Sequence, residues 1–420
     1  MYVPRLIEAS IAEATRDSPV IMVTGPRQSG KTTMLRTISA PDRRFVSLDD
    51  LDIRRLAQRE PGLFIRQFPP PVLIDEFQYA PDILPYIKIA VDELTTRGKN
   101  REAAGMYWLT GSQQFGLMKG VRESLAGRVA LLDLLGFSPY ELLQPARPRP
   151  EGFFEQDPAV IAGDTLLAAN LPGPHELFSA ILRGSLPQAA LQVRSAAETK
   201  AFYSAYVQTY LERDVATLDG VRNLGAFETF LRLLAARAGQ LVNFTELSRD
   251  AGVSSNAIRQ WTTILQKSYH VCLLQPYYRS LSKRLVKTPK VYFLDSGLHA
   301  FLTGWSEPEQ AMRGPLAGQI FENWVVSTLI QSYRHRGLRE NLYFWRTRTG
   351  QELDLWSEAA GVITAAEVKL TARNDERVFG LLDGIDPSPH RFGRRLLLTL
   401  SRDMLEYSPG TWNVPVSYIN

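Results

Sequence analysis

Cysteine is nearly missing from this chain: Cys272 is the single one in 420 residues, which excludes a disulfide framework and a cysteine-based zinc site. Histidine is scarce as well, and His175, His270, His299, His335 and His390 show no spacing that would ligate a metal. No apolar run approaches the roughly 20 residues of a membrane span. The N-terminal stretch MYVPRLIEASIAEATR is amphipathic with mixed charge rather than a secretion signal. These absences predict a cytoplasmic chain with no membrane partner, and leave Cys272 as a buried small hydrophobe.

What is present suffices for several cores: 45% of the residues are hydrophobic and 22% charged, and the length predicts two to four domains. The net charge of +4 says little about partners, but its distribution says more. Between Arg232 and Lys290 ten Lys or Arg stand against two acidic residues, Glu246 and Asp250, while the rest of the chain is slightly acidic. That segment is the candidate nucleic-acid face.

Near the N-terminus a short apolar run, IMVT from Ile21, leads at once into GPRQSGKT, Gly25 to Thr32, and then into a helical stretch. This is the G-x-x-x-x-G-K-[ST] phosphate loop in its required strand, loop, helix context. Its chemistry follows from the residues. The run Gly25, Pro26, Arg27, Gln28, Ser29, Gly30, Lys31, Thr32 and Thr33 holds the nucleotide: its backbone N–H groups, all but that of Pro26, which has none, can wrap phosphate oxygens, Lys31 reaches the β and γ phosphates, and the Thr32 hydroxyl holds Mg2+. ATP and Mg2+ are thus the expected cofactors. In PPVLIDEFQYAP an apolar run delivers Asp75 and Glu76 to a strand's C-terminal end, where open α/β sheets bind ligands. Asp75 orients the hydrated metal and Glu76 polarises the attacking water. A further strand, MYWLT, ends in GSQQF, which lets Ser112 or Gln113 approach the γ phosphate, and Arg128 stands at the start of a fifth strand.

This array resembles the AAA-type (AAA+/STAND-like) P-loop ATPases of bacteria and archaea whose C-terminal half is an uncharacterised domain. The resemblance is carried by SLAGRV followed by FSPYEL, YLERDV from Tyr210, KVYFLDSGL from Lys290, GQIFENWV from Gly318 and EVK from Glu367, and covers nearly the whole chain. It implies functional roles for Asp75, Glu76 and Arg128, the last as an arginine finger reaching the nucleotide of a neighbouring subunit. Arg122 is the competing finger. A homo-oligomer follows, a hexameric ring among the closed assemblies.

Residues 1–144 read as the ATPase core and residues 145–224 as a Pro-rich linker followed by a helical lid, where Arg183 and Arg213 could sense nucleotide or simply face solvent. Residues 225–296 have the order of a winged helix-turn-helix: a short helix FTELSRDA, a turn at Gly252, a recognition helix from Ser254 to Lys267, and a hairpin with the basic wing RSLSKRLVK. Asn256, Arg259 and Gln260 face outward at the recognition helix's start, and Arg279, Lys283, Arg284 and Lys287 can neutralise phosphates.

Residues 297–420 predict a helix, the strands LYFWRT, QELDLWS and GVITAAEVKL, a second helix and the strand RRLLLTL. This order resembles metal-dependent nucleases of the PD-(D/E)XK type. Asp354 and Glu367 could share a metal, with Lys369 steadying the phosphate and Glu322 completing the shell. The bland alternative pairs these carboxylates with Lys369 and with Arg346 or Arg348. The fold expected is α/β: a P-loop AAA-type ATPase core, a winged helix-turn-helix and a PD-(D/E)XK-like α/β domain. The function expected is an oligomeric ATPase that remodels or translocates on DNA, branched or junction DNA included. An ATP-gated nuclease and a nucleotide-dependent switch with DNA or a small protein partner are the alternatives.

Overall fold

A computed structural model describes residues 2–111, 124–145, 148–211, 223–278, 287–347, 350–359, 361–372, 376–383 and 391–419. By contact the chain divides into two units. The first is Met1–Gly136 with Lys267–Tyr269 and Arg334–Leu338; the second is Phe137–Gln266, His270–Tyr333 and Arg339–Asn420.

The first unit is a parallel sheet of five strands, β1 (Val20–Thr24), β2 (Arg44–Ser47), β3 (Val72–Asp75), β4 (Tyr107–Gly111) and β5 (Val129–Asp133), in the order β2-β3-β4-β1-β5. Its central strands read as continuous apolar runs because both faces are covered. Side-chain alternation sends Val20, Met22, Ile74 and Leu109 into one core and Ile21, Val23, Leu73 and Trp108 into the other, where they meet Met34 and Leu35 of the helix Lys31–Ile38. Each such aliphatic side chain contributes about 1.5–3 kcal/mol by leaving water. Strand β2 escapes sequence reading because Arg44 and Phe45 are exposed on this edge strand. Placing β1 between β4 and β5 aligns the C-terminal ends of β1, β3 and β4, which positions the site.

The second unit begins with short helices, among them Pro174–Arg183 and Ala196–Tyr206. The helices Leu224–Ala235, Phe244–Ala251 and Ser255–Lys267 follow, then the antiparallel pair β6 (Val271–Leu274) and β7 (Lys290–Phe293). Asn243 caps the second of these helices by accepting from the Thr245 and Glu246 amides, and left-handed Gly252, at φ +68°, ends it. Phe227, Phe230 and Trp261 pack with ring centroids 5.4–6.0 Å apart and lock the first helix to the third. Cys272 on β6 is half-buried rather than buried.

Beyond the long helix Ala317–His335 lie β8 (Leu342–Arg346), β9 (Glu352–Ala359), β10 (Val362–Val368), the helix Glu376–Asp383, β11 (Arg391–Thr399), β12 (Leu405–Ser408) and β13 (Thr411–Pro415). They build a mixed sheet in the order β12-β13-β11-β10-β9-β8, with β9 and β10 antiparallel and β10 and β11 parallel. The hairpin of β12 and β13 extends the sheet beyond the strands expected from sequence; β12 is mostly exposed and lacks an apolar run.

His299, on the helix Ser296–Leu302, is fully enclosed, with its Nε2 3.0 Å from the Ala235 carbonyl and its ring stacked on Phe293. Burial holds its pKa down at about 4, against an ordinary 6.5, and the Ala235 hydrogen bond offsets part of that. The unfolded chain therefore takes up a proton that the folded chain refuses. The neutral ring's contribution to stability is complete above pH 6.5 and is lost as pH falls toward about 4. Urea unfolding should show a loss on the order of 3 kcal/mol across that window. His299→Gln should flatten this dependence; an unchanged slope would clear His299 of it.

Candidate functional site

The phosphate loop closes on glycines for steric reasons. Gly25 has φ +151°, and a Cβ there would sit 2.0 Å from the Leu134 carbonyl oxygen; Gly30, at φ +89°, turns the chain into the helix Lys31–Ile38. Gln28 is also left-handed, at φ +61°. The buried Lys31 ammonium donates to the carbonyls of Gly25 and Pro26, at 3.0 and 2.8 Å, which holds it over the loop. The loop is pinned from behind by Arg5, whose buried guanidinium donates to the carbonyls of Ser29 at 3.1 Å and of Leu135 and Gly136 at 2.9 Å each.

The neighbouring strand ends supply the acids. Asp75, buried at the end of β3, accepts from the Thr32 hydroxyl at 2.7 Å and from the Thr110 hydroxyl at 2.5 Å. The Thr110 oxygen in turn accepts from the Glu76 amide at 3.1 Å. Glu76 is left-handed, at φ +56°, so its carboxylate leaves the strand in a different direction from that of Asp75 and accepts from the Gln78 amide. Burial raises the Glu76 pKa; Lys31 and the Gln78 hydrogen bond hold it back, Asp75 pushes it further up and Arg27 lowers it. At the same end of the sheet, Thr24, the last residue of β1, and Tyr269 both donate to Asp133 at the end of β5, at 2.8 and 2.6 Å.

The donor set suits a hard cation bound together with phosphates. The Thr32 hydroxyl and the Asp75 carboxylate lie side by side, and Ser29 Oγ in the loop is wholly buried without a hydrogen-bond partner among the described residues. Among the described residues no group of three His, Cys, Asp or Glu could hold a metal by itself, whereas magnesium at a phosphate site needs only one or two protein oxygens.

Gly25 to Thr33, Asp75 and Glu76 therefore come together at one edge of the sheet. Ser112, Gln113 and Arg122 lie outside the described residues. Arg128 is engaged by Asp92, with its Nε 2.5 Å from Oδ1. Sequence reading missed Thr110, which stands two residues before the Ser112 it selected, and Arg5, which no local pattern marks.

A second constellation lies in the other unit. Glu322 on the long helix, Asp354 on β9 and Glu367 on β10 converge, and Lys369, one residue past the end of β10, donates to Glu367 at 2.6 Å. Asp354 accepts from the Val368 amide at 3.0 Å. The unexpected member is Lys290 of β7. Only 3% exposed, its ammonium lies 2.6 Å from Glu352, 3.5 Å from Asp354 and 3.6 Å from Glu322. Tyr292 donates to Glu322 at 2.6 Å. Burial and the neighbouring Asp354 raise Glu322 and Glu367 each to about 7, despite the nearby lysines. Arg346 pairs with Glu352 at 3.4 Å, while Arg348 is outside the described residues.

Lys290 also trims the basic segment, since it is buried and paired rather than available to solvent. Both acids of that segment, Glu246 and Asp250, are bound by Arg237 at 2.9 and 2.8 Å. Asn256, Arg259 and Gln260 are exposed on the helix Ser255–Lys267, with Arg259 over the Phe244 ring, and Lys287 is exposed. Arg213, Arg279, Lys283 and Arg284 lie outside the described residues. No helix among the described residues is long and apolar enough to cross a membrane.

Comparison with known proteins gives three successive family matches: an AAA domain over residues 17–143, a domain of unknown function (DUF8612) over 174–309, and a domain of unknown function (DUF4143) over 317–419. Uncharacterized protein Rv2008c of Mycobacterium tuberculosis and uncharacterized protein Mb2031c of Mycobacterium bovis are each 32% identical over 368 residues, which is 87% of this chain and 73% of theirs. Among solved structures, a Walker-type ATPase of Pyrococcus abyssi aligns at 14% identity over 70% of this chain and 94% of its own, with a TM-score of 0.42. A Signal Transduction ATPase with Numerous Domains from Pyrococcus horikoshii aligns at 13% identity over 80% and 47%, with a TM-score of 0.25.

Proposed function

Since this chain belongs to the family of the two mycobacterial proteins and carries an AAA-type P-loop ATPase domain, we propose that it hydrolyses ATP with Mg2+ and spends that cycle on DNA. The observation that carries the first half is the run of contacts from Thr32 to Asp75 to Thr110 to Glu76 beside the loop that holds Lys31. Lys31 would contact the β and γ phosphates, and the Thr32 hydroxyl with Asp75 would hold the metal. The bound metal would neutralise charge on the phosphate oxygens. Glu76, set apart from Asp75 by its left-handed backbone, would orient and polarise the attacking water, and Gln78 steadies its carboxylate. Thr110 ties the two acids together, so the base and the metal ligand keep one geometry.

The second half rests on the basic segment and on the exposed Asn256, Arg259 and Gln260 at the start of their helix. Their place after two helices and before a hairpin supports the winged reading, in which backbone contacts supply most of the affinity. If about four phosphates are neutralised per chain, log K for duplex DNA should fall with log salt at a slope near −3.6. Lys283→Ala with Arg284→Ala should flatten that slope by roughly two units for every sequence tested. An unchanged slope would place DNA elsewhere.

Lys290 is what turns us from the nuclease reading. Its ammonium already neutralises the carboxylates that a divalent cation would need, so we read the cluster as an ion-pair core of a PD-(D/E)XK-like domain that does not cleave. Magnesium-dependent cutting of duplex DNA by the wild type, lost in Asp354→Ala, would reverse that choice.

A further inference from the structure

We propose that the second unit contains a binding pocket for a small organic anion with an apolar body, a site independent of the nucleotide loop. A cleft of about 340 Å³ opens between the segment from Phe137, the helix Pro174–Arg183 with the turn after it, and the long helix Ala317–His335. That volume is in the range of small-molecule sites. Its walls divide by chemistry. Phe137, Leu191 and Trp324 give an apolar surface wide enough for a ring, while Arg183 and Arg194 bring two positive charges, and among the described residues no acidic side chain lines it.

Arg183 sets the specificity. Its guanidinium has no hydrogen-bond or ion-pair partner among the described residues, although its own carbonyl accepts from Tyr203 at 3.0 Å. The carboxylate close at hand is already committed: Asp295 accepts from the Ser185 amide at 2.8 Å, the Ser185 hydroxyl at 2.7 Å and the Tyr203 hydroxyl at 2.7 Å. Gly184, with φ +83°, joins Arg183 to Ser185; a Cβ there would meet the Tyr203 hydroxyl at 1.9 Å, so the backbone at Arg183 is fixed. An arginine held this way and left unpaired beside an apolar wall recognises a carboxylate or phosphate.

The long helix carries an independent sign of a ligand. Thr328 lines the cleft, is only 2% exposed, and its hydroxyl has no partner among the described residues. Its neighbours are satisfied: Ser327 donates to the Trp324 carbonyl at 2.9 Å, and Gln331 to Ser185 at 3.2 Å and Leu294 at 3.1 Å. A hydroxyl on an otherwise buried residue that lines a cleft and is engaged by no described protein group is available to a bound molecule's oxygen. The nucleotide site could be abolished without touching any of these residues, so the two readings stand or fall separately.

The probe is 1-naphthoate, titrated into the full-length chain by calorimetry. One saturable site is expected with a dissociation constant of about 10–500 μM, as befits a ligand of this size. Arg183→Gln should weaken it by about tenfold or more, and neutral 1-naphthalenemethanol should bind more weakly by a similar factor. Thr328→Val should weaken it by about threefold to tenfold with melting temperature unchanged or raised, an outcome a purely structural hydroxyl would not give. No saturable heat up to about 5 mM, equal binding by both variants and wild type, or equal binding of the neutral analogue would each overturn the proposal.

Discussion

Lys31→Ala should bring phosphate release from ATP down by about 10²-fold or more, the cost of removing one charged donor from a preorganised phosphate site. The position of the ammonium, rather than its charge alone, makes the effect large. Lys31 is buried and held between the Gly25 and Pro26 carbonyls, so it is fixed over the loop before any anion arrives. Arg5 fixes the loop from the opposite side through Ser29, Leu135 and Gly136. Fold should survive, because the glycine geometry and both cores of the sheet are untouched. Phosphate release and equilibrium binding of a fluorescent ATP analogue are the two readouts, and both should be lost together. Wild-type turnover in Lys31→Ala would remove this loop from the account.

The largest stability effect is expected at Lys290. Lys290→Met keeps the length of the side chain but removes the cation facing Glu322, Glu352 and Asp354, and breaking a buried pair in this way costs about 3–5 kcal/mol. The pH dependence has a definite sign. Glu322 and Glu367 have folded values of about 7, above the ordinary 4.5, so the folded state holds protons the unfolded state releases. Stability therefore falls as pH rises from about 4.5 to 7, and without Lys290 that fall should steepen. Urea unfolding at pH 5.5 and 7.5 would show the variant closer to wild type at the lower pH. Equal stability of the two proteins at pH 7.5 would mean that the lysine is not needed there.

Much of this was legible in the sequence, and the missing part has a common cause. The phosphate loop was readable because its nine residues are contiguous and its glycines are demanded by local backbone geometry. Asp75 and Glu76 were readable because an apolar strand delivers them to the sheet's binding edge. Glu322, Asp354, Glu367 and Lys369 were selected from spacing and element order, and the structure brings all four together. Thr110, Arg5 and Lys290 were not readable, since each acquires its role from a partner tens of residues away. Thr110 matters because β4 lies beside β3 in the sheet, an adjacency that parallel crossovers hide from local pattern. Lys290 was counted only in the charge of the basic segment; its place at the start of an apolar strand, KVYF, was the signal that it would be buried.

The central claim is that Glu76 is the base for hydrolysis while Lys31, Thr32 and Asp75 hold the nucleotide. The most direct measurement is a single-turnover experiment in which enzyme in excess over ATP is quenched and the bound nucleotide is separated by chromatography. Wild type should have converted its ATP to ADP, whereas Glu76→Gln, which keeps the Gln78 and Thr110 surroundings but not the carboxylate, should retain it bound and intact. ADP appearing in Glu76→Gln as fast as in wild type would contradict the account.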